Sequence, residues 1–131
     1  DMNLGDLIEY HKEKEADATV ALASGFTVRV GVADLGDGGK ILGFVEKPKL
    51  EKPVSIGIVV LEGEILARIE SLKEKTADID LMGDVIPDLI GEGKTVHGYV
   101  TDAFWYDVGS VEAYEKLDPS MVDQKFFHLF Q

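Results

Sequence analysis

The sequence contains no cysteine, which excludes disulfides, thiolate metal sites and a cysteine nucleophile, and agrees with a reducing cytoplasm. Histidine is nearly as scarce. His11, His97 and His128 are scattered without ligand spacing, so a histidine zinc centre is not expected. Positive charge is short as well: 13 Lys and Arg face 25 Asp and Glu, a formal net charge of −12. Because the bases do not cluster, a chain of this sign is repelled by nucleic acid and by anionic lipid, and neither partner is expected. No apolar run approaches the roughly 18 residues of a membrane span, and no basic-then-apolar leader opens the chain. Phosphate-binding P-loop, G-x-G-x-x-G and G-x-S-x-G patterns are missing too.

What remains is ordinary globular material. The 131 residues, 45% hydrophobic and 29% charged, are enough for one domain with a real core, residues 1–131. The first residue is Asp1, and the last stretch, "FFHLF" before Gln131, is densely apolar where termini are usually polar. A portion of a larger protein is therefore expected.

Helix and strand signals interleave along the chain. "NLGDLIEYHKEKEA" has Asn3 as a cap and Leu4, Leu7, Ile8 and His11 at helical spacing. "ADATVAL" reads as a short buried strand. "VRVGVADL", the glycine-rich turn "GDGG" and "KILGFVEK" predict a β-hairpin over 28–47. "SIGIVVLE" is a further strand, "GEILARIESLKEK" an amphipathic helix, and "GDVIPDLIGEG" a helix capped by Asp84 with Pro87 in its first turn. "KTVHGYV" and "FWYDVG" predict two more strands. Ser110 caps a helix over "VEAYEKL", and Asp118 with Pro119 starts a last one, on which Val122, Phe126, Leu129 and Phe130 share a face. The pattern predicts an α/β fold: a mixed sheet with flanking helices and a β-hairpin.

Three sets of residues could carry chemistry. Glu46 and Lys47 end an apolar strand just before Pro48; alternation would send them to opposite faces, as an acceptor for hydroxyls and an ammonium for a phosphate, or they are simply a solvated exit. Asp107 follows three aromatics and precedes Gly109, a setting for a hard-cation ligand or for a plain turn. Gly31 and Gly57, inside predicted strands, either admit a ligand against the backbone or mark packing and bulges.

In order and at these spacings the pieces resemble the sugar-phosphate nucleotidyltransferases, the NDP-sugar pyrophosphorylases that include glucose-1-phosphate thymidylyl- and uridylyltransferases and mannose-1-phosphate guanylyltransferases. The resemblance spans about residues 28–115 through V-x-V-G, D-G-G, "ILGFVEKP", G-I-x-V-L-E, "DVIPDLI", "VHGYV" and "FWYDVGSVEAY", and extends to the opening helix and strand. It implies a Rossmann-like sheet and an enzyme that joins a sugar 1-phosphate to an NTP and releases pyrophosphate. By the same resemblance Glu46 and Lys47 bind the sugar hydroxyls and phosphate, Gly31 contacts the sugar, and Asp107 binds the catalytic Mg²⁺. Lys47 and Asp107 would be the catalytic pair, and Ser55 and Gly57 would complete the substrate site.

Two departures accompany it. The family's glycine-rich G-x-G-x-R nucleotide loop and its metal-binding G-D dipeptide are absent from these residues, and Ser55 stands where the family usually has asparagine. The expectation is the sugar-phosphate-binding C-terminal portion of a larger nucleotidyltransferase domain, inactive by itself and cytoplasmic. The alternative is a noncatalytic regulatory or interaction module that keeps the fold. The apolar last helix would face either a missing part of the chain or a second subunit, which leaves homo-oligomerisation open.

Overall fold

The computed structural model describes residues 2–73, 78–109 and 111–127. Helix α1 (Leu4–Glu13) begins where the Asn3 side chain accepts the Gly5 N–H, as its position before the apolar repeat predicts. Strand β1 (Ala18–Ala23) follows. Strands β2 (Val32–Leu35) and β3 (Ile41–Val45) form the hairpin, turning through Gly38 and Gly39, whose φ angles of 67° and 81° suit only glycine well. Strand β4 (Val54–Leu61) leads into α2 (Gly63–Lys73). A single π-helical turn, Leu81–Val85, feeds α3 (Ile86–Gly91), and β5 (Val96–Thr101), α4 (Val111–Glu115) and α5 (Pro119–Phe126) complete the order.

The sheet runs β4-β1-β5, with β1 antiparallel to β4 and parallel to β5, while β2 and β3 pair apart from it. The mixed α/β architecture with flanking helices and a hairpin is therefore present. Alternation along β1 explains the layering. Ala18, Val20 and Leu22 face Ile65 of α2, Val85, and Ile86 and Leu89 of α3, forming the main core. On the opposite face, Thr19, Ala21 and Ala23 are small and buried beside α1, whose Leu7 and His11 are buried with them. His11 is held on both sides: Nδ1 lies 2.8 Å from Thr19 Oγ1 and Nε2 3.1 Å from Glu62 Oε1.

Asp17 ties the start of β1 to the start of β5, accepting the Thr95 N–H at 2.8 Å, with Lys94 at 3.4 Å. Arg68 of α2 is committed to Asp88 and Glu92 on and just after α3. The α3 stop uses Gly93 at φ 76°, where the Lys94 N–H donates to the Leu89 carbonyl.

Four local expectations are corrected. The "FWYDVG" stretch forms no strand: residues 102–109 are irregular, because aromatic side chains favour a pleated surface but a ladder needs a partner, and none pairs there among the described residues. The hairpin ladder is shorter than 28–47, leaving residues 28–31 and Glu46 and Lys47 outside it. The turn before α3 is capped by Asp80, which accepts the Met82 N–H, while Asp84 accepts the Asp80 N–H. Leu4, Ile8 and Leu66 fit the helical period yet stay exposed. Ser110, Leu129 and Phe130 lie outside the described residues.

Candidate active site at the carboxyl ends of β1 and β5

In a sheet containing parallel strands, the crevice outside their carboxyl ends is where loops diverge and ligands bind. Here β1 and β5 are in register from Ala18 and Val96 to Ala23 and Thr101, so both chains leave the sheet together. The segment after β1 (24–29) and the segment after β5 (102–107) enclose a groove of about 610 Å³ lined by Ser24, Thr27, Arg29, Trp105, Tyr106 and Asp107, among others. The Phe26 and Trp105 rings lie 6.3 Å apart. A second, more apolar cavity of about 760 Å³ shares Ala103 and Trp105 with the groove and reaches Ile56 and Ile58. Trp105 therefore belongs to the walls of both.

Asp107 is not at a strand end. It sits in the irregular segment and forms a tight turn in which Oδ1 accepts the Gly109 N–H at 2.9 Å. Among the described residues, Oδ2 has no hydrogen-bond partner.

Glu46 and Lys47 lie just past β3 and do not diverge to opposite faces. Lys47 adopts φ 48°, a left-handed conformation uncommon for lysine and further disfavoured before proline, and this breaks the strand alternation. As a result Lys47 Nζ comes within 3.9 Å of Glu46 Oε1, both side chains remaining exposed. A backbone outlier of this kind often marks a functional position.

Gly31 lies just before β2, outside the strand in which the sequence pattern put it. Its place still brings it to Glu46: a Cβ there would stand 2.3 Å from Phe44 Cζ and 2.9 Å from Glu46 Oε2, so only glycine lets those side chains close over the backbone. Gly57 is a bulge glycine at φ 79°. In the β1–β4 ladder Val20 pairs with Val59 and Leu22 with Ser55, so Ile56, Gly57 and Ile58 together oppose Ala21. Ser55 Oγ accepts the Gly57 N–H at 3.3 Å and stabilises the bulge.

One backbone ladder links the two candidate sets. Thr27 pairs with Lys49, the Val28 N–H donates to the Pro48 carbonyl at 2.9 Å, and the Leu50 N–H donates to the Phe26 carbonyl at 2.8 Å. The segment 26–28 thus carries the groove of Asp107 on its course and the exit from Lys47 as its pairing partner. Asp107 lines the groove, whereas Lys47 lines neither the groove nor the second cavity. Arg29 was missed in the sequence because it reads as part of the "VRVGVADL" strand. The available signal was rarity, since the chain has only Arg29 and Arg68 and the latter is bound to carboxylates.

Comparison with known proteins gives the family of the chain. The family described as Nucleotidyl transferase matches residues 1–124. The chain belongs to the nucleotidyl transferase family. Similar proteins include a glucose-1-phosphate adenylyltransferase of Desulfitobacterium hafniense strain Y51, 32% identical over 142 residues, covering 99% of this chain and 35% of that protein. Those of Clostridium novyi strain NT (30% identical; 95% and 34% covered) and Bacillus licheniformis (35% identical; 86% and 31% covered) are comparable. The chain spans about a third of the length of these curated relatives. Membership in the nucleotidyl transferase family agrees with the observed mixed sheet and its helices on both faces.

Proposed function

We propose that this chain is the sugar-phosphate-binding portion of an enzyme that transfers a nucleotidyl group from an NTP to a sugar 1-phosphate. In that reaction an oxygen of the sugar phosphate forms a bond to the α-phosphorus of the NTP. The bond from the α-phosphorus to the bridging oxygen of the β-phosphate breaks, and pyrophosphate leaves. The names of the relatives make glucose 1-phosphate and ATP the first substrates to test. NTP chemistry and the absence of cysteine support a cytoplasmic setting.

The observation that carries the reading is the gathering of three segments, 24–29, 46–50 and 102–107, at the carboxyl ends of β1 and β5. Glu46 beside Gly31 offers a carboxylate to sugar hydroxyls, Lys47 offers its ammonium to the phosphate, and Ile56 and Ile58 on either side of Gly57 line the neighbouring cavity. Two anions must be aligned, and cationic groups that offset their repulsion supply most of what such a reaction needs from protein.

Asp107 fits as one ligand of Mg²⁺, an ion that prefers oxygen donors and commonly takes one or two carboxylates with substrate phosphates. Among the described residues, no group of three His, Cys, Asp or Glu side chains could hold a metal without such help. When bound, Mg²⁺ would neutralise phosphate charge; Asp107 would hold it at the groove.

The single tryptophan, Trp105, lines the groove and provides the readout. Titration of the purified chain with glucose 1-phosphate is expected to change its fluorescence saturably, and Lys47→Ala to weaken binding about tenfold or more, the loss of a charge-assisted hydrogen bond. Absence of saturation, or unaltered affinity in Lys47→Ala, would reject the reading.

A further inference from the structure

Among the described residues, Arg29 is the cation that lines the groove of Asp107, and its backbone adjoins the Lys47 exit. It also lies one residue beyond Val28, whose N–H donates to the carbonyl of Pro48, and Lys47 is the residue next to Pro48 on the same side of that contact. Two positive groups are thus brought together on adjoining backbone in a chain of net charge −12.

Several other basic residues are engaged elsewhere. Arg68 binds Asp88 and Glu92, Lys94 reaches Asp17, Lys14 lies over Tyr10 and Lys125 over Phe104. Like Lys12, Lys40, Lys49, Lys52 and Lys73, Arg29 makes no ion pair with any described residue, but of these it is the one that lines the groove. A guanidinium that lines a groove without an ion-pair partner can take an anion there without breaking an existing contact. Arginine's planar fork also suits a phosphate better than lysine's point charge does.

We propose that Arg29 is a phosphate-binding residue of this site, gripping a phosphate group between the Lys47 exit and the Asp107 groove. This rests on the sugar-phosphate reading above for the identity of the ligand, but not for the chemistry recognised. The phosphate could belong to the sugar 1-phosphate or to the pyrophosphate end of the nucleotide. We assign it to the sugar phosphate because Glu46, which suits the hydroxyls and approaches Gly31, lies within 3.9 Å of Lys47.

The test uses Trp105 fluorescence and calorimetry on wild type, Arg29→Gln and Arg29→Lys, with glucose, glucose 1-phosphate and inorganic pyrophosphate as probes. Arg29→Gln is expected to lose about ten- to a hundredfold in glucose 1-phosphate affinity while its response to glucose and its melting temperature stay unchanged. Arg29→Lys should recover part of the loss. Equal affinity for glucose 1-phosphate in wild type and Arg29→Gln would overturn the inference and leave the function standing. So would a parallel loss of glucose, since that would make Arg29 a support of the site rather than a phosphate ligand. Arg29-dependent binding of pyrophosphate without binding of glucose 1-phosphate would keep Arg29 as a phosphate ligand but overturn its assignment to the sugar phosphate, and would sink the sugar-phosphate reading. Binding of neither phosphate by wild type would overturn both.

Discussion

Replacing Gly57 by alanine separates backbone strain from packing. Gly57 sits at φ 79° inside β4, and a Cβ built there meets no atom within 4 Å, so no clash contributes. What remains is the cost of left-handed backbone for an L-residue, about 1–2 kcal/mol. It is offset in part by the smaller freedom of alanine in the unfolded chain, about 0.4–1 kcal/mol. The net destabilisation expected is about 1 kcal/mol, or about 3–5 °C in Tm for a chain of this size. Urea and thermal unfolding of Gly57→Ala and Gly57→Asn check it, with the asparagine variant losing less because its side chain tolerates this conformation better. A Gly57→Ala protein as stable as wild type would refute the reasoning, since the bulge opposite Ala21 would then be able to relax out of the left-handed region without consequence.

Two further outcomes follow from the same structure. Gly31→Ala should drive the Phe44 ring and the Glu46 carboxylate aside; because Phe44 is 62% exposed the ring can swing away, so stability should change by less than about 1 kcal/mol while sugar-phosphate affinity falls. Parallel melting and titration would expose an error if stability collapsed and binding held. Asp17, Glu92 and Asp118 are each held below their ordinary pKa values, by the Thr95 N–H, by Arg68 and by Ser120 respectively. Their contribution is complete above the unfolded values, near 3.8 for the aspartates and 4.5 for the glutamate, and is lost as pH falls through the lower folded values. Acid unfolding of wild type and Asp17→Asn should converge towards low pH, and curves that remain parallel would show that Asp17 contributes no such dependence.

Much of the fold was readable because local chemistry and tertiary packing agree. Asn3 and Asp118 cap the helices their positions suggest, and the apolar residues of "ADATVAL" fill a central strand. Errors arose where a local signal admits two answers. Asp80 and Asp84, four residues apart, both suit a cap, and their exchange of backbone hydrogen bonds decides between them only in three dimensions. The aromatics of "FWYDVG" resemble strand residues, yet no ladder partner is present among the described residues. Lys47 and Asp107 were individually visible as polar groups after apolar runs. Their shared dependence on the 26–28 ladder was not, because that pairing is nonlocal, and neither was the place of Arg29, which reads as a strand residue yet lines the groove without an ion pair to any described residue.

The three-stranded order leaves the outer edges of β4 and β5 without a described neighbour. Open edges of this kind are templates for intermolecular zipping, and mutual repulsion between highly anionic copies is a natural guard against it. Acidity, which argues against nucleic-acid partners, therefore has a second consequence: it keeps like molecules apart, and concentrated electrolyte, by shortening the reach of that repulsion, should promote their clustering.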